Sequence, residues 1–106
     1  MTERAENIIQ RIKNSVQTTE PDAKVILYGS YARGDYKSTS DIDILILLNK
    51  KKITREEEKK VTYPLYEIEF ETGQIISLLV LSKTDWETRH RITPFYENVN
   101  KEGKIL

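Results

Sequence analysis

Residues 25–48 read V-I-L-Y-G-S-Y-A-R-G-D-Y-K-S-T-S-D-I-D-I-L-I-L-L, and this stretch decides the fold. Two apolar runs rich in β-branched residues flank a polar connection. Runs of this length and composition are typical of buried strands, so we predict strands at about Lys24–Tyr28 and Asp41–Leu48. The two strands and their connection form a hairpin-like unit around which the rest of the chain is arranged.

Asp41 and Asp43 open the second run. Side chains alternate between the faces of a strand, so these two carboxylates should project to the same side. Neighbouring carboxylates repel each other and lose hydration, which is costly unless a cation or solvent compensates. Mg²⁺ suits such a pair because it takes one or two carboxylates and completes its octahedron with water and substrate phosphates. We therefore expect Asp41 and Asp43 to be the metal ligands and the catalytic residues.

Gly29 and Ser30 end the first run, and they predict a phosphate site. Glycine at a strand end permits backbone angles that other residues avoid and lets a phosphate approach the main chain. Ser30 offers a backbone N–H and a hydroxyl, and a helical turn beginning there would add further free N–H groups. We call this strand end, formed by Gly29 and Ser30, the corner. A triphosphate at the corner would lie beside a metal ion held by the carboxylates. This arrangement favours metal-assisted nucleotidyl transfer.

The segment G-S-Y-A-R-G-D-Y-K-S-T-S-D-I-D resembles the signature of the polymerase-beta-type nucleotidyltransferases, G-S-x-x-x-G-x-x-x-x-x-S-D-x-D. It is most similar to the minimal nucleotidyltransferase (MNT antitoxin-like) proteins, many of which pair with a HEPN-domain partner. The resemblance implies an α/β fold, with a small mixed sheet flanked by helices, in one domain over residues 1–106. It also implies Mg²⁺, with two ions able to bind, and ATP or another nucleoside triphosphate as substrate. The matching positions are Gly29, Ser30, Gly34, Ser40, Asp41 and Asp43.

Composition narrows the class of protein. A chain of 106 residues is long enough for one core. Its 17 basic and 17 acidic side chains cancel, so no global field attracts nucleic acid or an anionic membrane. No apolar run approaches the roughly 20 residues that cross a bilayer. The absence of cysteine excludes disulfides and thiolate metal sites and fits a reducing cytoplasm. We expect a cytoplasmic protein without a membrane partner, and nucleic acid is a disfavoured partner.

Helical segments flank the hairpin-like unit. Glu3–Val16 carries one apolar stripe, with Thr2 as a candidate N-cap. A second helix should begin after Thr54. Pro64 predicts a kink or a break in that helix. The alternation at Tyr66–Glu71 leaves a strand as an alternative there.

The last third of the chain predicts one further strand and two short helices. Gln74–Leu81 is almost wholly apolar and predicts a third strand. A helical turn begins at Ser82 and carries Trp86, which is more often a packing residue than a base-stacking one. Thr93-Pro94 is a common start for a helix, so we expect a terminal helix there.

Two residues within the motif and one basic run after it have open roles. Arg33 could bind a triphosphate oxygen with its guanidinium, or it could simply pair with Asp35 at the surface. Ser40 could orient the first aspartate, or it could be only a turn residue. We include Arg33 and Ser40 among the nucleotide-binding candidates. The basic run Asn49–Lys52 is better explained as solvated charge than as a phosphate site.

A third carboxylate is missing from the expected place. Enzymes that this chain resembles usually add an acid from a following strand, which binds metal and helps to deprotonate the attacking hydroxyl. The matching strand here, Gln74–Leu81, contains no acid, and Ser77 lies at about the position concerned. Glu67, Glu69 and Glu71 in the preceding segment are alternatives that spacing alone does not separate.

These observations leave two classes of function. The first is an Mg²⁺-dependent nucleotidyltransferase that moves a nucleoside monophosphate to an acceptor hydroxyl, with the resemblance favouring AMP from ATP and a HEPN-type toxin as acceptor. The second is a non-catalytic nucleotide-binding or antitoxin module that masks a partner, which the missing acid favours. Extension of RNA or DNA is disfavoured by the zero net charge and the small size. The acceptor, the base preference and the oligomeric state, including a homo-oligomer, stay open.

Overall fold

A four-stranded mixed sheet forms the centre of the structure, a computed structural model that describes residues 1–106. The strand order is β3-β2-β1-β4. β1 runs antiparallel to β2 and β4, whereas β2 and β3 are parallel. The elements are, in chain order, α1 (Glu3–Thr19), β1 (Lys24–Tyr28), α2 (Ser30–Arg33), β2 (Ile42–Leu48), α3 (Arg55–Thr72), β3 (Ile76–Ser82), α4 (Lys83–Thr88), α5 (Pro94–Glu102) and β4 (Lys104–Ile105).

One face of the sheet packs against α1 and α3, and the other packs against α4 and α5. Alternate residues of β2 enter the two cores because strand side chains alternate faces. In the larger core, the predicted stripe of α1 packs against the strands and against α3. In the smaller core, α4 and α5 pack against the other face of the sheet. The predicted α/β architecture with a small mixed sheet is confirmed. The buried stripe of α1 consists of Ala5, Ile8, Ile9, Ile12 and Val16.

Helix α1 begins where the sequence predicts. The Thr2 side chain accepts a hydrogen bond from the Ala5 N–H, which confirms the N-cap. The helix ends at Thr19, within the polar cluster Thr18–Asp22 that predicts its end. None of the helices is long and apolar enough to cross a bilayer.

Helix α3 passes through Pro64 without a break. Of the two outcomes that the sequence predicts there, the break is wrong and the kink stays a prediction. The strand alternative at Tyr66–Glu71 is also wrong. Proline removes one backbone hydrogen bond, which costs about 3 kcal/mol. The carbonyl that loses its donor belongs to Lys60, an exposed residue whose backbone water can reach. Tertiary packing on both sides of the proline holds the helix together. The buried residues are Val61, Thr62, Leu65 and Ile68.

The C-terminal segment completes the second face of the sheet. The Ser82 and Thr93 side chains cap α4 and α5 as the sequence predicts. Trp86 is 4% exposed and packs against Phe95 and Tyr96, so it is a core residue. The two-residue strand β4 was not predicted, because two residues carry no periodic pattern.

Candidate active site

The loop between β1 and β2 begins with a turn at Gly29. This residue has φ 73° and ψ −156°, a conformation that favours glycine. Its carbonyl accepts hydrogen bonds from the N–H groups of Ala32 and Arg33, at 3.1 and 3.0 Å. Ser30 is therefore the first residue of the short helix α2, where backbone N–H groups lack intrahelical partners. The predicted helical turn at this corner is present.

The antiparallel register brings Asp43 to the same corner. Tyr28, the last residue of β1, lies opposite Asp43 of β2. A side chain added at Gly29 would collide with the Asp43 carboxylate, whose carbon lies 3.1 Å from the position of the added atom. The carboxylate therefore lies against the α-carbon of Gly29. The turn and one of the two predicted ligands are direct neighbours.

Asp41 lies one residue before β2, which begins at Ile42 rather than at Asp41 as predicted. Asp41 is exposed, whereas Asp43 is partly buried. Burial raises the pKa of Asp43, the negative charge of Asp41 raises it further, and the nearby Arg33 lowers it. The two aspartates therefore repel each other, as the sequence predicts for a pair without a bound cation.

This repulsion predicts a pH-dependent effect of Asp43→Asn on stability. Because the folded protein raises the pKa of Asp43, its ionisation costs folding free energy, and that cost disappears when the pH falls below the ordinary aspartate range. At pH 7 without metal, Asp43→Asn should increase the free energy of unfolding by up to about 1 kcal/mol, the size of interactions between partly exposed charges. Urea titrations of both proteins between pH 7 and pH 4 should show the difference shrinking as the pH falls. A constant difference would contradict the pKa shift.

Arg33 is held at the edge of the corner by two acids. Its guanidinium pairs with Asp35 and with Glu102 of α5, each at 3.3 Å. Arg33 is exposed, so these pairs contribute little to stability. The pairing with Asp35 that the sequence offers as one alternative is present, and the guanidinium also acts on the charge of Asp43. Phosphate binding by Arg33 stays a prediction.

Ser40 closes the turn that precedes the aspartates. Its hydroxyl accepts a hydrogen bond from the Lys37 N–H at 2.8 Å, and its own N–H donates to the Lys37 carbonyl at 3.0 Å. The buried Gln74 side chain donates to the Ser40 carbonyl at 3.0 Å. Ser40 is thus a turn residue that fixes the backbone leading to Asp41. Its contact with a nucleotide stays a prediction.

The parallel register of β3 places Ser77 beside Asp43. These residues are directly aligned on neighbouring strands, which lie about 4.8 Å apart, and their side chains leave the same face of the sheet. Ser77 is therefore the neighbour of Asp43 on β3, at about the position where the resemblance implies a third carboxylate, and it is exposed.

Glutamates of α3 do not replace that acid, because α3 packs against the opposite face of the sheet. Glu69 accepts a hydrogen bond from the Ile76 N–H at 2.8 Å. Glu71 pairs with Arg11 of α1 at 2.7 Å. Glu67 is exposed on the same helix. None of these three glutamates therefore supplies a third acid beside Asp41 and Asp43.

The donor set at the corner fits Mg²⁺ bound together with a phosphate ligand. No group of three or more His, Cys, Asp or Glu side chains in the structure could hold a metal ion. Two carboxylates nevertheless satisfy what Mg²⁺ usually takes from a protein, because water and substrate phosphates complete the octahedron. Asp41 and Asp43 are the residues that would hold it.

A cleft of about 240 Å³ lies between the turn and α5. It is open to solvent and next to the Asp43 corner, with aromatic and polar side chains in its wall. A second cleft, of about 410 Å³, lies at the other end of β1 and is remote from the aspartates. The first cleft is lined by Tyr28, Gly29, Arg33, Phe95, Asn98, Val99 and Glu102.

Three residues at the corner were missed by sequence reasoning. Burial and then the charge of Asp43 raise the pKa of Tyr28, which adjoins Gly29 in the chain and could have been noticed for that reason. Glu102 reaches Arg33 only because α5 folds back over the sheet. Gln74 bridges the Ser40 carbonyl to Tyr31 of α2, whose hydroxyl donates to its side chain at 3.5 Å. No sequence pattern indicates the last two.

Comparisons with known proteins agree with this fold. The chain matches the family model described as "Nucleotidyltransferase domain" over residues 9–104. The structure also resembles a crystal structure titled as a "putative nucleotidyltransferase" from Sulfolobus solfataricus, with a TM-score of 0.55 and 22% identity over 99% of this chain and 86% of that one. The chain therefore belongs to the nucleotidyltransferase domain family, which fits the polymerase-beta-type superfamily that its motif resembles.

Two relatives from Methanocaldococcus jannaschii are more similar to this chain in sequence than the Sulfolobus protein is. "Putative protein adenylyltransferase MJ0141" is 36% identical over 80 residues, which cover 73% of this chain and 79% of the relative. "Putative protein adenylyltransferase MJ0604" is 35% identical over 83 residues, which cover 78% of this chain and 76% of the relative.

Proposed function

We propose that this chain is an Mg²⁺-dependent nucleotidyltransferase that moves AMP from ATP to a hydroxyl group of an acceptor protein. The observation that carries the proposal is the contact between the Asp43 carboxylate and Gly29, because a triphosphate on the turn would then lie beside the metal ligands. The names of the two archaeal relatives support a protein as acceptor. The resemblance to minimal nucleotidyltransferases supports a HEPN-type toxin modified on tyrosine.

The reaction forms one bond and breaks another at the α-phosphorus of ATP. The acceptor oxygen attacks this phosphorus, its proton passes to a base, and the bond to the bridging oxygen of the β-phosphate breaks, which releases pyrophosphate. Bound Mg²⁺ would neutralise charge on the phosphates and polarise the α-phosphate. Asp41 and Asp43 hold the metal in this proposal. The N–H groups of the turn at Gly29 and Ser30 donate to the β- and γ-phosphates.

Arg33 and the cleft beside it complete the proposed substrate site. The Arg33 guanidinium would exchange its weak surface pairs with Asp35 and Glu102 for triphosphate oxygens, which its planar set of donors fits well. The Phe95 ring and the Asn98 side chain in the cleft wall would contact the nucleoside.

Labelled ATP tests this proposal. With Mg²⁺ and a candidate acceptor, label at the α-phosphate should enter the acceptor protein, whereas label at the γ-phosphate should not. Transfer of γ-label would indicate a kinase and would contradict the proposal. Replacing the acceptor tyrosine with phenylalanine should abolish labelling.

A second candidate is a nucleotide-binding antitoxin subunit that masks its partner without chemistry. The exposed Ser77 at the aligned position beside Asp43 favours it, because serine at this position is no general base for the acceptor hydroxyl. Such a module would still bind ATP but would transfer no label. Its inhibition of the partner would be unchanged in an Asp43→Ala variant.

Substitution of Gly29 tests the geometry of the site. Gly29→Ala and Gly73→Ala both place a Cβ at a positive φ, 73° and 72°, but the ψ of Gly29 is −156°, in a region almost exclusive to glycine, whereas the ψ of Gly73 is 5°, in the left-handed helical region. Gly73→Ala should cost about 1 kcal/mol of stability, and Gly29→Ala should cost more. Only Gly29→Ala forces the Asp43 carboxylate away from the turn, since nothing lies within 4 Å of a side chain at Gly73. Under conditions in which urea titration shows both variants to be folded, we expect loss of Mg²⁺-dependent ATP binding in Gly29→Ala alone. Equal ATP binding by both variants would contradict the proposed site.

A further inference from the structure

Helix α5 forms one wall of the cleft beside the corner. Phe95, Asn98 and Glu102 are spaced by three and four residues, which places them on one face of the helix. All three line the cleft, together with the buried Val99. The turn at Gly29 forms part of the facing wall. A ligand bound at the corner and extending into the cleft would therefore contact this face of α5.

The cleft has a charged end and an aromatic end. Glu102 pairs with Arg33 at 3.3 Å, so the last turn of α5 lies at the charged end. Phe95 lies against Tyr28, with the ring centroids 5.3 Å apart, at the aromatic end. The seven residues from Phe95 to Glu102 rise by roughly 10 Å along the helix. A nucleotide with its phosphates on the turn and on Arg33 would therefore extend its base toward Phe95.

The size of the cleft suits part of a nucleotide. Its volume of about 240 Å³ is below the roughly 300–1,000 Å³ of sites that enclose a whole drug-sized ligand. With the phosphates on the turn, the nucleoside is the part that the cleft would hold. The Phe95 ring offers a stacking surface, since bases stack on aromatic side chains. Its contact with Trp86 helps to hold that ring in place.

Asn98 carries the only amide side chain in the wall of this cleft. In α5, Thr93 caps the helix and Glu102 binds Arg33, whereas the Asn98 side chain forms no hydrogen bond. The neighbouring Val99 is 3% exposed and fixes this part of the helix on the sheet. The structure thus holds an unpaired amide beside the aromatic end of the cleft.

We propose that Asn98 selects adenine as the base of the bound nucleotide, which makes it a specificity-determining residue of the transfer reaction. This role of Asn98 rests on the proposed function, because it requires a triphosphate at the corner. The Asn98 amide would accept a hydrogen bond from the N6 amino group of adenine and donate one to a ring nitrogen. The stacking surface of Phe95 would hold the base in the plane that this pairing needs.

The hydrogen-bonding pattern of an amide favours adenine over guanine. An amide presents an acceptor beside a donor. Adenine presents its N6 donor between two acceptors, N7 and N1, so the Asn98 amide can pair with either edge in the same orientation. Guanine presents two acceptors, N7 and O6, on the first of these edges, where an amide makes no bidentate pair. Only the other edge of guanine is left for pairing.

Purine riboside triphosphate tests this pairing, because it is ATP without the N6 amino group. With Mg²⁺, the unmodified chain should bind ATP about 5- to 150-fold more tightly than this analogue, the usual discrimination provided by a bidentate base contact. Asn98→Ala should bind the two nucleotides equally. Asn98 is exposed, so its replacement should leave the fold intact. Isothermal titration calorimetry measures all four affinities.

Asn98→Asp tests which base is selected. A carboxylate accepts hydrogen bonds from the N1 and N2 groups of guanine but donates none to adenine. The affinity for GTP relative to ATP should therefore rise in this variant. A preference of the unmodified chain for GTP over ATP would overturn the selection of adenine.

Asn100→Ala is the matched control on the same helix. Asn100 lies about 200° further round α5 than Asn98 and lines the remote cleft instead. This variant should keep the full preference for ATP over purine riboside triphosphate. A full preference in Asn98→Ala, or an equal loss in both variants, would refute the role of Asn98 and leave the proposed function standing. If none of the three nucleotides binds with Mg²⁺, the proposed function is wrong, and this role of Asn98 is wrong with it.

Discussion

Asp43→Asn is expected to lower AMP transfer by at least about 10²–10³-fold, the usual cost of removing a group that stabilises charge in a transition state. Asparagine keeps the size of the side chain but is a weak ligand for Mg²⁺, which prefers carboxylates. The variant should fold at least as well as the unmodified chain, because burial and Asp41 make ionised Asp43 unfavourable. Loss of activity therefore cannot come from unfolding.

Asp22→Asn is a matched control for this effect. Asp22 is exposed and precedes β1, whereas Gly29 follows the other end of that strand. Its replacement removes one negative charge without touching the corner, so transfer should change by less than about twofold, as for a remote surface charge. Equal losses in both variants, or full activity in Asp43→Asn, would contradict the proposed role of Asp43. Rates of α-label transfer at saturating Mg²⁺ and ATP provide the comparison.

Ser77→Asp is expected to raise the rate of transfer by about 10²–10⁴-fold, the contribution of a positioned general base. The substitution puts a carboxylate on the strand next to Asp43, at the aligned position and on the same face. Ser77 is exposed, so the new charge is solvated and the fold should tolerate it. A gain in the rate of transfer would show that the site lacks only its general base. A non-catalytic module would transfer no label with or without the substitution.

Ser77→Asn is the control, since it matches the aspartate in size but accepts no proton. The pH profile adds a second test: the rate of Ser77→Asp should fall at low pH as the new carboxyl is protonated, whereas the Ser77→Asn rate should not show this dependence. An intact Ser77→Asp variant with no gain in rate would show that the base is supplied elsewhere, for instance by the acceptor protein.

The elements around the motif were predictable from the sequence because each carries its own local signal. The strand β1 has its predicted bounds, and β2 begins one residue later than predicted. The turn at Gly29 and the cap at Thr54 are also present. In each case a few neighbouring residues specify the structure, through alternation, backbone freedom or a capping side chain.

The features that were missed depend on contacts between distant parts of the chain. Pro64 stays within α3 because residues on both sides of it are buried against α1 and the sheet. Glu102 reaches Arg33 only after α5 has packed over the second face. The glutamates of α3 were left open because spacing does not reveal which face of the sheet the helix covers. Only the three-dimensional arrangement excludes them from the corner.

Titration of ATP with and without Mg²⁺ is the most direct test that the turn and the two aspartates bind one metal–triphosphate complex. For the unmodified chain, Mg²⁺ should tighten ATP binding by at least about tenfold, equivalent to about 1.4 kcal/mol. In an Asp41→Asn, Asp43→Asn double variant this effect of Mg²⁺ should disappear. If Mg²⁺ tightens ATP binding equally in both proteins, the aspartates do not hold the metal and the proposed site is wrong.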